Sequence, residues 1–110
     1  MDEARSPIRI TPAFFFLMLA LAEGSRHGHV MAQEVEERSG GSVRLGPGSL
    51  YWSLGRLADA GLIEEVAAPA DQTDERRRYY GLTELGRVVL AREAATLEKI
   101  VEYARVQRIV

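Results

Sequence analysis

The chain has 110 residues, 46% of them hydrophobic and 27% charged, which fits one small globular domain. It holds no cysteine, so disulfides, thiolate metal sites and cysteine nucleophiles are excluded. Its formal charge of −2 counts against a surface that is basic throughout, so binding to a polyanion would have to rest on local arginine clusters.

Residues 1–10 are polar, carry Pro7 and read as a flexible N-terminal arm. Thr11 then Pro12 reads as a helix cap followed by proline at the first helical position. The helix they start is expected to run to about Glu23 and stop at Gly24. Its stretch Ala13 to Ala22 is unbroken apolar sequence of ten residues, whereas a bilayer span needs ~20. Glu23, Gly24, Ser25 and Arg26 follow it in place of a small-residue cleavage site. A helix buried on all sides, in a cytoplasmic protein with no membrane partner, is the expectation.

A second helix is expected over about His27 to Arg38, with Val30, Met31 and Val35 as its apolar stripe, ended by Ser39, Gly40 and Gly41. A short extended stretch, Ser42 to Leu45, leads to a third helix from Pro47 or Gly48 to Ala60. Leu50, Leu54, Leu57 and Ala58 would form its core side. Gly61 stands where a left-handed C-cap residue is wanted. Leu62 to Ala67 and Arg77 to Leu82 read as the strands of a hairpin, with Tyr80 in the core. Thr83 caps a last helix that could run to the C-terminus, although Glu84 comes too early to complete a capping box. On that helix Leu90, Ala94, Leu97, Val101 and Ala104 repeat at four-three spacing, a coiled-coil-like seam suited to a second copy of the chain.

The fold class expected from this order is mainly α with a small β-hairpin: a winged helix-turn-helix plus a C-terminal dimerisation helix. Residues 11–82 would form the DNA-binding domain and residues 83–110 the dimerisation helix. With Leu50, Leu54 and Leu57 turned inward, Gly48, Ser49, Trp52, Gly55, Arg56 and Asp59 face outward, and Tyr51 and Ser53 lie on the flanks. In this fold the third helix enters the major groove. Ser49 could then bond a phosphate together with free backbone N–H groups, and Arg56 could pair with a phosphate or with guanine O6 and N7. Trp52 admits two readings, contact with sugar or a thymine methyl, or packing on the wing or first helix. Arg76, Arg77 and Arg78 are either a solvated hairpin face paired with Asp71, Asp74 and Glu75, or the wing's contact with double-stranded DNA.

One series of segments resembles the PadR family of bacterial transcriptional regulators. It comprises Gly46-Pro47-Gly48-Ser49-Leu50-Tyr51, Leu54-Gly55-Arg56-Leu57, Ala60-Gly61-Leu62-Ile63-Glu64, Arg76-Arg77-Arg78-Tyr79-Tyr80-Gly81-Leu82-Thr83 and Gly86, in that order. Chain length and a single C-terminal helix are similar to the family's short subgroup. The resemblance implies a homodimeric DNA-binding regulator, with Tyr51 at the DNA backbone; half-buried packing is the other reading of Tyr51. It also implies a cavity for a small aromatic effector, framed by the first and last helices of two subunits, where Phe14, Phe15 and Tyr103 are the candidates; phenylalanines in such a run also serve simply as core. At His29 the chain departs from the family, which often carries tyrosine there.

Other functions find less support. His27 and His29 stand two apart with no third ligand in reach, so no metal is expected. Gly46-Pro47-Gly48 lacks the spacing and lysine of a phosphate-binding loop, no catalytic triad stands out, and neither an enzyme nor a cofactor is expected. A MarR-type regulator shares the wing arginine followed by Leu82, Thr83 and glycine. A winged-helix module that binds proteins and not DNA would suit the net negative charge.

Overall fold

The computed structural model describes residues 7–70 and 78–110. Four helices and three short strands follow in the order α1 (Pro12–Ala22), β1 (Arg26–His27), α2 (Gly28–Arg38), α3 (Pro47–Asp59), β2 (Ile63–Val66), β3 (Tyr79–Leu82) and α4 (Glu84–Val106). The fold is mainly helical, a winged helix-turn-helix extended by α4. Among the described residues no helix is long and apolar enough to cross a membrane.

Each helix begins where local chemistry allows it. The Thr11 hydroxyl accepts the Phe14 backbone N–H at 3.2 Å, and Pro12 needs no partner for a donor it lacks. Leu17, Met18 and Leu21 are fully buried; removing such a side chain from water contributes roughly 1.5–3 kcal/mol. The expectation that α1 is buried on all sides is corrected: Leu19 is exposed and Phe15 and Phe16 are half-buried, so one flank stays open. α2 ends at Ser39, and Gly40 and Gly41 both adopt positive φ to turn the chain. The Ser39 hydroxyl takes the Val43 N–H at 3.0 Å, which pins the stretch leading to α3 as coil.

α3 ends in a Schellman turn. The Gly61 N–H bonds the Ala58 carbonyl at 2.9 Å, and the Leu62 N–H bonds the Leu57 carbonyl at 3.0 Å. Gly61 takes φ +77°, which an L side chain rarely adopts. On the inner side Leu50, Leu54 and Leu57 are buried as expected. Ala58 is exposed, and Ser53 is buried instead at 4%. Successive residues step ~100° around a helix, so both lie about 70° from the leucine row, on opposite shoulders. The core closes over the Ser53 shoulder.

The expected two-stranded hairpin is part of a three-stranded antiparallel sheet ordered β1-β3-β2. Arg26 pairs with Tyr80 and His27 with Tyr79, while Ile63 to Val66 pair with Leu82 to Tyr79. Because β3 is central, Tyr79 and Tyr80 are both buried, and the His27 ring meets Tyr79 edge-on at 5.5 Å. Arg26 bonds Glu34 at 3.2 Å and so ties β1 to α2.

Thr83 caps α4 by accepting the Gly86 N–H at 2.9 Å. Gly86, Val89 and Leu90 are buried against the domain; from Ala91 onward nearly every residue is exposed. At ~1.5 Å per residue, the part of α4 beyond Leu90 projects about 24 Å from the core. This accounts for the long dimension of a molecule measuring 52 × 36 × 24 Å.

Candidate nucleic-acid interface

α3 presents its outward face as one strip of Gly48, Ser49, Trp52, Gly55, Arg56 and Asp59, all exposed, with Tyr51 exposed beside them. At its start the first intrahelical bond is Leu50 N–H to the Gly46 carbonyl at 2.8 Å, and no side chain caps the end. The N–H groups of Gly48 and Ser49 therefore point out of the helix, next to the Ser49 hydroxyl. A Cβ added at Gly48 or Gly55 would meet nothing within 4 Å, and neither has positive φ, so the fold itself does not require glycine there.

Of the two readings of Trp52, packing on the first helix is the one seen in the protomer. Trp52 is 63% exposed, yet its ring stacks on Phe14 of α1 with centroids 6.2 Å apart and planes 25° from parallel. The Arg56 guanidinium lies 5.9 Å from the centre of the same ring. Tyr51 also packs while exposed: it borders a hollow of about 380 Å³ between α2 and α3, and its hydroxyl lies beside Gly28. Ser53, expected on a flank of α3 as a candidate DNA contact, is buried at 4% and is corrected to a residue of the core shoulder.

On the wing, Arg78 is exposed immediately before β3. Arg76 and Arg77, with their expected partners Asp71, Asp74 and Glu75, lie outside the described residues. His27 and His29 do face each other, with rings 6.4 Å apart and nearly parallel, because His27 belongs to the extended β1 and precedes the helix. Among the described residues no group of three metal-ligating side chains exists.

The seam on α4 divides in two. Leu90 is 8% exposed and is spent in the protomer's own core, a correction to its place in an intermolecular seam. Ala94, Leu97 and Val101 are exposed and Ala104 is half-buried. Ile100 and Val106, outside the four-three series, are exposed apolar residues on the same projecting segment. The candidate effector residues are dispersed within one protomer. Phe14 is in the core, Phe15 is half-buried on α1, and Tyr103 is 69% exposed on α4. A separate groove of about 450 Å³ lies between α1 and α2, lined by Phe16, Leu19, Ala20, Ala22 and Val35 together with Glu23, Glu34 and Arg38. It is a concave, largely apolar strip on the open flank of α1, and no periodicity along the chain signals it because its lining comes from two helices.

Comparison with known proteins agrees with this architecture. Residues 17–92 match the family described as Transcriptional regulator PadR-like family. A PadR family transcription regulator from Clostridium difficile shares the fold with a TM-score of 0.76 at 24% identity, over 91% of this chain and 100% of that one. A PadR-like transcription factor from Bacteroides fragilis has a TM-score of 0.67 at 25% identity, over 87% of each chain. An uncharacterised 37.1 kDa transposon protein of Streptomyces fradiae is 36% identical over 93 residues, which cover 84% of this chain and 25% of that protein. The chain thus spans about a quarter of the length of the curated relative it matches. With the helix-turn-helix, the sheet and the first turns of α4 all inside the matched span, this chain belongs to the PadR-like family of transcriptional regulators.

Proposed function

We propose that the chain is a homodimeric, DNA-binding transcriptional repressor that recognises a near-palindromic operator. The observation that carries this reading is the two-sided α3: a leucine row sealed in the core and an exposed strip with Ser49, Trp52 and Arg56 opposite it. In the proposed complex α3 lies in the major groove. Ser49 and the N–H groups at the helix start bond a phosphate, Tyr51 adds a backbone contact, and Arg56 pairs with a guanine edge. Arg76, Arg77 and Arg78 on the wing neutralise phosphates beside it.

Dimerisation is supported by the projecting half of α4. An isolated helix of that length is marginal in water, and its exposed Leu97, Ile100 and Val101 favour burial against another surface. The groove on the open flank of α1 offers that helix of a second copy a concave apolar seat. Two α3 helices would then read half-sites one helical turn apart, ~34 Å. A small aromatic effector held between subunits by Phe14, Phe15 and Tyr103 would release DNA by changing the angle between the two winged domains. The first test is in vitro selection of duplexes on the purified protein: enrichment of a near-palindrome supports the reading, and recovery of unenriched sequence opposes it.

The net charge of −2 favours a second reading, a winged-helix module that binds proteins only. Retention of random-sequence duplex at low salt separates the two, because a protein-only adaptor flows through.

A further inference from the structure

We infer that Trp52 is a positioning residue for Arg56, and through it a determinant of base specificity; this rests on the proposed DNA reading. Trp52 and Arg56 stand four apart on α3, so their side chains meet on one face. The guanidinium lies 5.9 Å from the ring centre, within the range of a cation–π contact. Among the described residues no carboxylate pairs with Arg56; the ion pairs there join Arg26 to Glu34 and Arg38 to Glu23. Asp59, one turn further on, forms no bond to it. Among the described residues the Trp52 ring is therefore the group that the Arg56 guanidinium faces, at the outer edge of that range.

The platform is itself anchored. Phe14 is buried in the core and stacks on Trp52 at 6.2 Å, so the ring is tied to α1 although most of its surface meets solvent. A guanidinium laid on an aromatic face keeps the N–H donors at its edge free. Arginine otherwise loses rotamer freedom when fixed, and a contact made before binding reduces that cost. The chemistry that matches such a pre-set fork is a guanine edge, with O6 and N7 as paired acceptors. An arginine free of its platform would still find phosphates, which ask for charge and not for a fixed plane.

The test uses the full chain and a duplex recovered by selection on the wild type, with each guanine replaced in turn. Arg56→Ala identifies the base pair it reads by losing discrimination there, about tenfold for one bidentate contact. Trp52→Ala is expected to lose most of the same discrimination at the same base pair, and Trp52→Phe to keep it. The double variant is expected to be no worse in discrimination than Arg56→Ala alone. In the DNA-free protein, Arg56→Ala is expected to change the emission of Trp52, the sole tryptophan. Trp52→Leu keeps an apolar side chain against Phe14 without a ring face, and covers the case in which the alanine variant does not fold. If the Trp52 variants weaken matched and mismatched duplexes equally, or if the two losses simply add, the inference is overturned. A wild type that selects no duplex instead overturns the proposed function on which it rests.

Discussion

The Thr83 hydroxyl donates a 2.6 Å hydrogen bond to the carbonyl of Gly61. The same oxygen accepts the Gly86 N–H, and the Thr83 N–H bonds the Leu62 carbonyl at 3.1 Å. One side chain thus joins the end of α3 to the start of α4, the helix that presents the proposed DNA face to the helix that projects toward a second copy. Gly86 completes the junction, since a Cβ there would collide with the Leu62 carbonyl and lie 2.7 Å from a Leu82 methyl. The direction of α4 relative to α3 is therefore set by the short Thr83 side chain together with close backbone contacts.

Thr83→Ala is expected to cost about 1–2 kcal/mol, from a lost cap and a lost bond to Gly61, while Thr83→Ser retains most of it. Gly86→Ala is expected to cost on the order of 3 kcal/mol, because the obstacle is backbone and cannot turn aside. Denaturant unfolding of the three variants checks both.

Gly55→Ala separates stability from function. The position is helical and open, so alanine should raise stability by roughly 0.5–1 kcal/mol. On the outward strip its methyl would hold α3 away from a duplex, so operator affinity should fall at the same time. Thermal unfolding and a gel-shift titration on the same variant measure the two effects; a stabilised variant with unchanged affinity would show that the duplex does not approach at Gly55.

Arg56 and the wing arginines should differ in kind. Arg56→Ala is expected to weaken specific operator binding by about 1–3 kcal/mol. Arg77→Ala is expected to weaken all duplexes alike and to reduce the slope of log affinity against log salt by about 1. Titrations at several salt concentrations, on operator and random duplex, distinguish them.

The two halves of α4 should also respond differently. Leu90→Ala removes a core side chain and should cost about 2–5 kcal/mol in the protomer. Leu97→Glu with Val101→Glu leaves the protomer folded but places charge on the projecting segment. Sedimentation is expected to show a monomer at concentrations where the wild type is a dimer, and operator binding should weaken with it.

Much of this was legible in the sequence because it is written in local chemistry. Thr11 with Pro12, Pro47, Gly61 and Thr83 each fix a helix end through a cap or a backbone angle, and the structure has those ends within a residue or two. What escaped depends on distant partners. β1 is two residues long, too short for any periodicity, and exists only because β3, some fifty residues later, offers its other edge. That same edge buries Tyr79 along with Tyr80. On α3 Ala58 was expected on the core side and Ser53 on a flank, although both stand about equally far from the leucine row, and only tertiary packing decides which shoulder is covered. Leu90 carried the same spacing as Leu97, and spacing does not distinguish a core within the protomer from an interface between copies. The contacts of Trp52 with Phe14 and Arg56 join residues of two helices, of which the sequence signals only the four-residue step from Trp52 to Arg56.

The most direct test of the account is in vitro selection from a random duplex library, run in parallel on the wild type and Arg56→Ala. The wild type is expected to enrich a near-palindrome with half-sites about one helical turn apart, and Arg56→Ala to relax a guanine in each half-site. A wild type that enriches no sequence and passes random duplex unretained at low salt would contradict it.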